Sequence, residues 1–206
     1  MAQHRLAKLA RDLKPRRMRA RRLPVLIVVT DRHRQGDLAP LLTRLAPGDA
    51  LLLRDYDAPD RERIARRLAR LCRRRRLLLL VAGDAKLARR FGDGLHLGEA
   101  RLRRVGRMRR PHRGFLLSAA AHGRAALVRA WRAGADLALL SPVFATRSHI
   151  DAKPLGPVRF AALAGRAPIA VYALGGVDRK TARRLKASGG AGIAAIGAFA
   201  GAAPML

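Results

Sequence analysis

Residues 77–97 read LLLLVAGDAKLARRFGDGLHL. Two short apolar runs, 77–81 and 94–97, flank a segment that opens at Asp84, a residue favoured at the first position of a helix. Neither run alternates polar with apolar residues. A strand with one wet face alternates, whereas a strand buried on both faces does not, and such strands belong to parallel sheets covered by helices. The stretch therefore reads as one strand–helix–strand unit.

The same unit repeats outward. Apolar runs at 25–30 (VLIVVT), 50–53 (ALLL), 115–118 (FLLS), 136–140 (DLALL), 169–174 (IAVYAL) and 192–197 (GIAAIG) bring the set to eight. Most are separated by helical spacing: Ile64, Leu68 and Leu71 recur within 59–73, and Leu38, Leu41, Leu42 and Leu45 precede Pro47-Gly48. Asp37, Asp60, Asp84 and Asp178 stand where helices start, and Gly134 and Gly189 where they stop. Eight such units closing into a barrel fit best, giving an α/β chain with a compact (β/α)8 TIM barrel over 25–200. The alternative is a doubly wound open sheet of five or six strands. It loses support at the first strand end, which reads Thr30-Asp31-Arg32-His33 where a dinucleotide fold needs G-x-G-x-x-G.

The 206 residues are half apolar and carry one Cys, which excludes whole-chain disorder, a disulfide scaffold and a multi-Cys zinc module. No apolar run is long enough to span a bilayer, and no signal peptide is read at the start, so a cytoplasmic location is expected. Lys and Arg number 44 against 14 acids, a net charge of +30. Such a field attracts phosphate in any form, yet the bias covers the whole chain and is also compositional. Residues 1–24 form a basic N-terminal extension carrying Arg5, Lys8, Arg11, Lys14, Arg16, Arg17, Arg19, Arg21 and Arg22 against Asp12. Leu6, Leu9 and Leu13 allow a short helix before Pro15. The arm is a possible nucleic-acid contact, without aromatic residues to stack bases.

In a barrel of this kind, chemistry collects at the C-terminal ends of the strands. These ends place Asp31, Arg54, Asp84, His96 and Glu99 there, then His122, the loop from Ser141 to His149, Gly175-Gly176 and Gly197. Gly175-Gly176, followed by Asp178 as a cap, suits a phosphate approached by backbone N–H groups, with Ile196 and Gly197 after the last strand supplying the other half. Arg54 is placed to clamp an anion or to pair with Asp31 or Asp84. His122 lies beyond its strand, positioned for proton transfer, while His96 lies inside an apolar run as a core or rim residue. Cys72 reads as a small apolar residue. No histidines are paired at metal-ligand spacing.

In this order, the segments resemble the thiamine-phosphate synthase / TenI family. They are Leu53-Arg54, Asp93-Gly94-Leu95-His96-Leu97-Gly98, His122, Gly134-Ala135-Asp136, Ser141-Pro142-Val143-Phe144 with Thr146, Ala173-Leu174-Gly175-Gly176-Val177 and Gly190-Ala191-Gly192-Ile193-Ala194. The resemblance runs from about residue 25 to 200 and implies a (β/α)8 barrel of the thiamine pathway. It divides into a synthase branch, which joins hydroxymethylpyrimidine diphosphate to thiazole phosphate, and a TenI-like branch that includes a thiazole tautomerase.

Departures from the synthase pattern favour the second branch. The two positions where the synthases place Mg²⁺-holding carboxylates are Gly83 and Arg101 here, with Asp84 and Glu99 displaced from them. The Lys expected after the second strand is Tyr56, the Lys after the sixth falls at His149, and a Ser near the family His is Ala120. The resemblance thus implies a TenI-like enzyme in which His122 moves a proton, with no metal cofactor. Gly175, Gly176, Ile196 and Gly197 would hold phosphate, and Arg54, Thr146, Ser148 and His149 would position a thiazole phosphate. The alternatives are a divergent, Mg²⁺-using synthase and a non-catalytic barrel binding a phosphorylated ligand or nucleic acid. A homo-oligomer is possible.

Overall fold

A computed structural model describes residues 9–10, 23–33, 38–102, 104, 109–146 and 152–196. Eight strands alternate with helices: β1 (Leu26–Val29), α1 (Ala39–Leu42), β2 (Ala50–Leu53), α2 (Arg61–Arg74), β3 (Leu78–Ala82), α3 (Ala85–Phe91), β4 (Gly94–Leu97), α4 (Glu99–Leu102), β5 (Leu116–Ala121), α5 (Arg124–Arg132), β6 (Leu137–Leu140), α6 (Gly156–Arg166), β7 (Ala170–Ala173), α7 (Arg179–Arg183) and β8 (Gly192–Ala195). Neighbouring strands pair in parallel in chain order, and β8 pairs with β1, closing the (β/α)8 barrel expected from the sequence.

Closure explains the absence of alternation. One set of strand residues packs outward on the helices, among them Leu51, Leu53, Leu79, Val81, Leu95, Leu97, Leu117 and Leu140. The other set fills the barrel: Ile27, Val29, Ala50, Leu52, Leu80, Ala82, Leu116, Leu137, Leu139, Tyr172 and Ala194. The pairings Ala82↔His96 and His96↔Ser118 put those two polar residues on the inner face as well. Room for the bulky fillers comes from Gly94 and Gly192. A Cβ on Gly94 would stand 2.6 Å from Leu80 Cδ2, and one on Gly192 would meet the Tyr172 ring and stand 2.5 Å from the Val25 carbonyl. The Tyr172 hydroxyl donates to the Pro24 carbonyl, so the chain just before β1 helps close the floor. Leu23 packs against the inner cluster, and Ala10 is buried in the outer one.

A recurring device ties the N-terminal rim. Asp49, Asp93 and Asp136 stand immediately before β2, β4 and β6. Each accepts a backbone N–H from or beside the preceding strand: Leu26 at 3.3 Å, Leu79 at 2.8 Å and Leu117 at 2.8 Å. Asp136 also takes Arg110 Nη1 at 2.6 Å, and that guanidinium donates to the Gly134 carbonyl at 2.6 Å. Three carboxylates are thereby held at the end of the barrel remote from chemistry.

Helix caps follow the sequence in part. Asp84 caps α3 through Leu87 N at 2.8 Å, and Asp178 forms a reciprocal capping box with Thr181 at α7. The amide of Thr181 holds the Asp178 carboxyl below the usual carboxylate range. Gly134 and Gly189 have the positive φ of helix stops. Asp60 precedes α2 but makes no side-chain cap; its carboxylate is turned to Arg63, a stronger donor than an amide. Asp37 lies outside the described residues. Among the described residues, no helix is long and apolar enough to cross a membrane.

Removing a rim carboxylate exposes the difference between buried and surface ion pairs. Asp136→Ala leaves the Leu117 amide without its acceptor and the half-buried Arg110 with carbonyls but no counter-charge. It is expected to cost roughly 3 kcal/mol in urea unfolding. Asp60→Ala, which removes an exposed partner of Arg63, should leave the unfolding midpoint almost unchanged. Equal losses would contradict the role given to the rim.

Candidate active site

The C-terminal mouth is assembled from loops tied to one another. Asp55 accepts the Thr30 hydroxyl at 2.5 Å and the Arg32 amide at 2.7 Å, while Thr30 Oγ1 accepts Arg54 N at 3.0 Å. This joins the ends of β1 and β2. Arg54 reaches the buried Asp31 with Nη2 at 3.0 Å. The ion pair left open by the sequence is therefore present, and it fixes a half-buried guanidinium at the rim rather than leaving it free to swing.

Two open clefts lie side by side over the start of α4. One, of about 560 Å³, is lined by Tyr56, Arg61, Gly83, Asp84, Gly98 and Arg101 among others. The second, of about 500 Å³, is lined by Glu99, Ala100, Arg104 and His122. Ala100 borders both.

His122 follows β5 directly, and its Nδ1 lies 2.8 Å from the Ser141 carbonyl at the end of β6. A carbonyl only accepts, so Nδ1 carries the hydrogen of this contact. Nε2 of the neutral ring then holds the lone pair. A backbone oxygen thus orients the imidazole and selects its tautomer, which gives the ring one defined basic atom beside the second cleft.

His96 has a different fate. It is buried on the inner face, with Nδ1 2.8 Å from Ser118 Oγ. Burial pushes its pKa down to about 4, so the ring stays neutral near pH 7. Its place in the apolar run is a core place. Cys72 is likewise a buried apolar side chain, its thiol pushed up to about 12 by burial.

Gly175 and Gly176 both have positive φ, and their neighbours also demand glycine. A Cβ on Gly175 would stand 2.9 Å from Pro142 Cα, and one on Gly176 2.8 Å from Phe144 Cβ. Phe144 N donates to the Gly175 carbonyl at 3.0 Å, and Thr181 Oγ1 to the Gly176 carbonyl at 2.9 Å. The close approach these glycines permit is thus first of all to the loop after β6. Thr146 and Ile196 are half-buried at the same mouth. Ser148, His149 and Gly197 lie outside the described residues.

The two synthase-type metal positions are turned to other use. Arg101 Nη1 donates to the Gly83 carbonyl. Asp84 is engaged as the α3 cap, and Glu99 accepts Arg129 Nη2 at 2.5 Å. A divalent ion such as Mg²⁺ needs several oxygen donors around one point. At the positions that the resemblance assigns to the carboxylates stand a glycine and a guanidinium, and Asp84 and Glu99 are engaged elsewhere, so the donor set does not fit the metal. Among the described residues, no three His, Cys, Asp or Glu side chains cluster as metal ligands.

Some of these residues had no clear signal in the sequence. Arg61 stands in a helix rich in arginines, and the Ser141 carbonyl is backbone.

Taken together, the molecule is a (β/α)8 barrel whose mouth carries an oriented imidazole and several fixed guanidiniums. The family model for thiamine monophosphate synthase matches residues 26–199. A thiamine-phosphate synthase from Methanoculleus marisnigri is 35% identical over 185 residues, covering 85% of this chain and 87% of that protein. One from Chlorobium luteolum is 33% identical over 180 residues, covering 85% and 84%. The solved thiamine phosphate pyrophosphorylase from Pyrococcus furiosus superposes with a TM-score of 0.70 at 25% identity, covering 94% of this chain and 90% of that one. The chain belongs to the thiamine-phosphate synthase / TenI family of thiamine biosynthesis. The relatives' names are those of synthases, which are enzymes.

The buried imidazole makes stability depend on pH. The unfolded chain binds a proton at His96 below about pH 6.5, and the folded chain only below about 4. Between those values the unfolded state holds more protons, so stability falls as pH falls. The full window is worth roughly 3 kcal/mol. In urea titrations at pH 7.5 and 5.0, the wild type should lose more stability on acidification than His96→Gln. Equal losses would contradict a buried neutral His96.

Proposed function

We propose that the chain binds a thiazole phosphate at the barrel mouth and catalyses a tautomerisation by proton transfer through His122. Nε2 takes a proton from one position of the substrate and returns it to another, with no net exchange of electrons or protons. The observation that carries this reading is the His122–Ser141 contact, which engages Nδ1 with a backbone oxygen and leaves Nε2 for a substrate on a ring that lines a cleft. The backbone N–H groups of Gly175 and Gly176, with Ile196 and Gly197, hold the phosphate between the ends of β7 and β8. Arg54, kept in place by Asp31, draws the anion inward, and Thr146 helps position the substrate, a role the resemblance also implies for Ser148 and His149. A proton shift between fixed positions needs an oriented base and an anchored substrate, and gains chiefly from positioning. It needs no diphosphate leaving group, which agrees with the loss of the metal-holding carboxylates at Gly83 and Arg101.

The second reading is a synthase joining hydroxymethylpyrimidine diphosphate to thiazole phosphate, favoured by the names of the relatives. It would have to activate the diphosphate without the usual carboxylate pair.

The two separate in one assay series. Purified protein is given the thiazole carboxylate phosphate tautomer, or the two synthase substrates, in EDTA and in Mg²⁺. The expected outcome is tautomer conversion at the same rate in both, reduced about 100-fold or more in a folded His122→Ala variant. Mg²⁺-dependent formation of thiamine phosphate, without tautomer conversion, would establish the synthase instead.

A further inference from the structure

We propose that the cleft at the ends of β2, β3 and β4 is a metal-independent oxyanion site in which Arg61 and Arg101 bind a phosphoryl or carboxylate group directly. It rests on the reading that this mouth receives an anionic substrate, and it assigns that substrate's second anionic group a place away from the β7–β8 phosphate site.

The argument begins with the carbonyls. Parallel strands end with C=O groups directed at the mouth, and a ring of such oxygens with added carboxylates would attract a cation. In this chain guanidiniums satisfy them. Arg61 Nη2 donates to the Ala82 carbonyl at 2.5 Å and to the Leu53 carbonyl at 3.4 Å, while Arg101 reaches Gly83. Each contact uses part of a five-donor fork. Arg61 Nε is buried with no partner, and no bond engages Arg101 Nη2 among the described residues. Arg101 therefore keeps donors at the cleft, and Arg61 adds a second fixed positive charge to its lining.

The lining gives the charge balance. Asp84 is its one carboxylate among the described residues, and one of its oxygens caps α3. Glu99, on the adjoining wall, is held by Arg129. Two guanidiniums against one engaged carboxylate leave the cleft positive. Arg61 is also braced, its guanidinium carbon 5.6 Å from the centre of the Tyr56 ring. Tyr56 is 59% exposed and lies against Gly83, where a Cβ would come within 2.8 Å of the ring. The aromatic residue at this place thus supports a cation, and the glycine makes room for it. Planar forks with preset geometry suit oxyanions better than a flexible ammonium does.

The test is calorimetric titration of the full chain in EDTA with inorganic pyrophosphate, inorganic phosphate or a thiazole carboxylate lacking phosphate. At least one should bind without metal, and Arg101→Ala should weaken that binding about tenfold or more. Arg101 is exposed, so its removal should leave folding intact. Arg70→Ala, which removes the same charge from the outer face of α2, should leave binding unchanged. A response to pyrophosphate assigns the site to a phosphoryl group, and a response to the thiazole carboxylate assigns it to a carboxylate. Binding that requires Mg²⁺, that ignores Arg101→Ala, or that falls equally in Arg70→Ala would overturn the proposal. Because binding is read rather than turnover, an inactive enzyme would count against the tautomerase reading and leave this result standing.

Discussion

Burial of both faces of every strand is the constraint on which the rest of this molecule depends. Closing eight parallel strands removes all sheet edges and leaves no wet face, so polar groups must go to the strand ends or find partners inside. The two ends are used differently. At the floor, Asp49, Asp93 and Asp136, which precede β2, β4 and β6, accept backbone amides of β1, β3 and β5, and their charge is consumed in tying neighbouring strands. At the mouth, charged groups are fixed by few bonds and retain donors or lone pairs. Carboxylates of similar appearance in the sequence therefore have opposite roles, decided by which end of a strand they occupy.

The exceptions inside the barrel obey the same constraint. His96 and Ser118 meet each other, and Tyr172 reaches the Pro24 carbonyl. Each polar atom so placed avoids the desolvation cost of an unpartnered group. The histidine accepts burial by staying neutral, which removes it from acid–base work near neutral pH. His122, one strand over and just beyond the barrel, has a backbone acceptor on one nitrogen and a cleft beside it. Two histidines from adjacent strands are separated by a single strand-end boundary.

The fold was legible because its constraint acts on every strand. Eight runs without alternation could be found, and those at 50–53 and 94–97 coincide with β2 and β4 to the residue. The fifth strand runs on to Ala121 because Ala119–Ala121 are small enough to pack in a sheet but too weakly apolar to mark one. The caps Asp84 and Asp178 were readable, whereas Asp60 was not, since a nearby arginine competes for the same oxygen. The mouth was legible as a set of positions, less so as a set of contacts. Gly175-Gly176 suggested approach to a ligand, yet the nearest demand on them is the packed loop of Pro142 and Phe144. The Ser141 carbonyl carries no side-chain signature. Arg61 disappeared into a helix rich in arginines, because composition hides a functional cation among many solvated ones.

The same abundance of arginine bears on how a family built around a metal-held diphosphate can lack the metal's ligands. A divalent cation between two carboxylates is formally neutral, and its advantage is directed inner-sphere coordination. Glycine and arginine at those positions give a local charge of +1 without any ion. On the proposed reading, attraction for an oxyanion is thus kept or increased, while the metal's coordination geometry is not used. A reaction that expels diphosphate draws on that geometry. A reaction that only holds an anion still while a proton moves needs what was kept. The guanidinium bonded to the Gly83 carbonyl, the imidazole bonded to the Ser141 carbonyl and the ion pair of Arg54 with Asp31 all follow one scheme. Groups fixed to the ends of rigid strands fix charge and basicity in space, which is what the proposed proton transfer draws on.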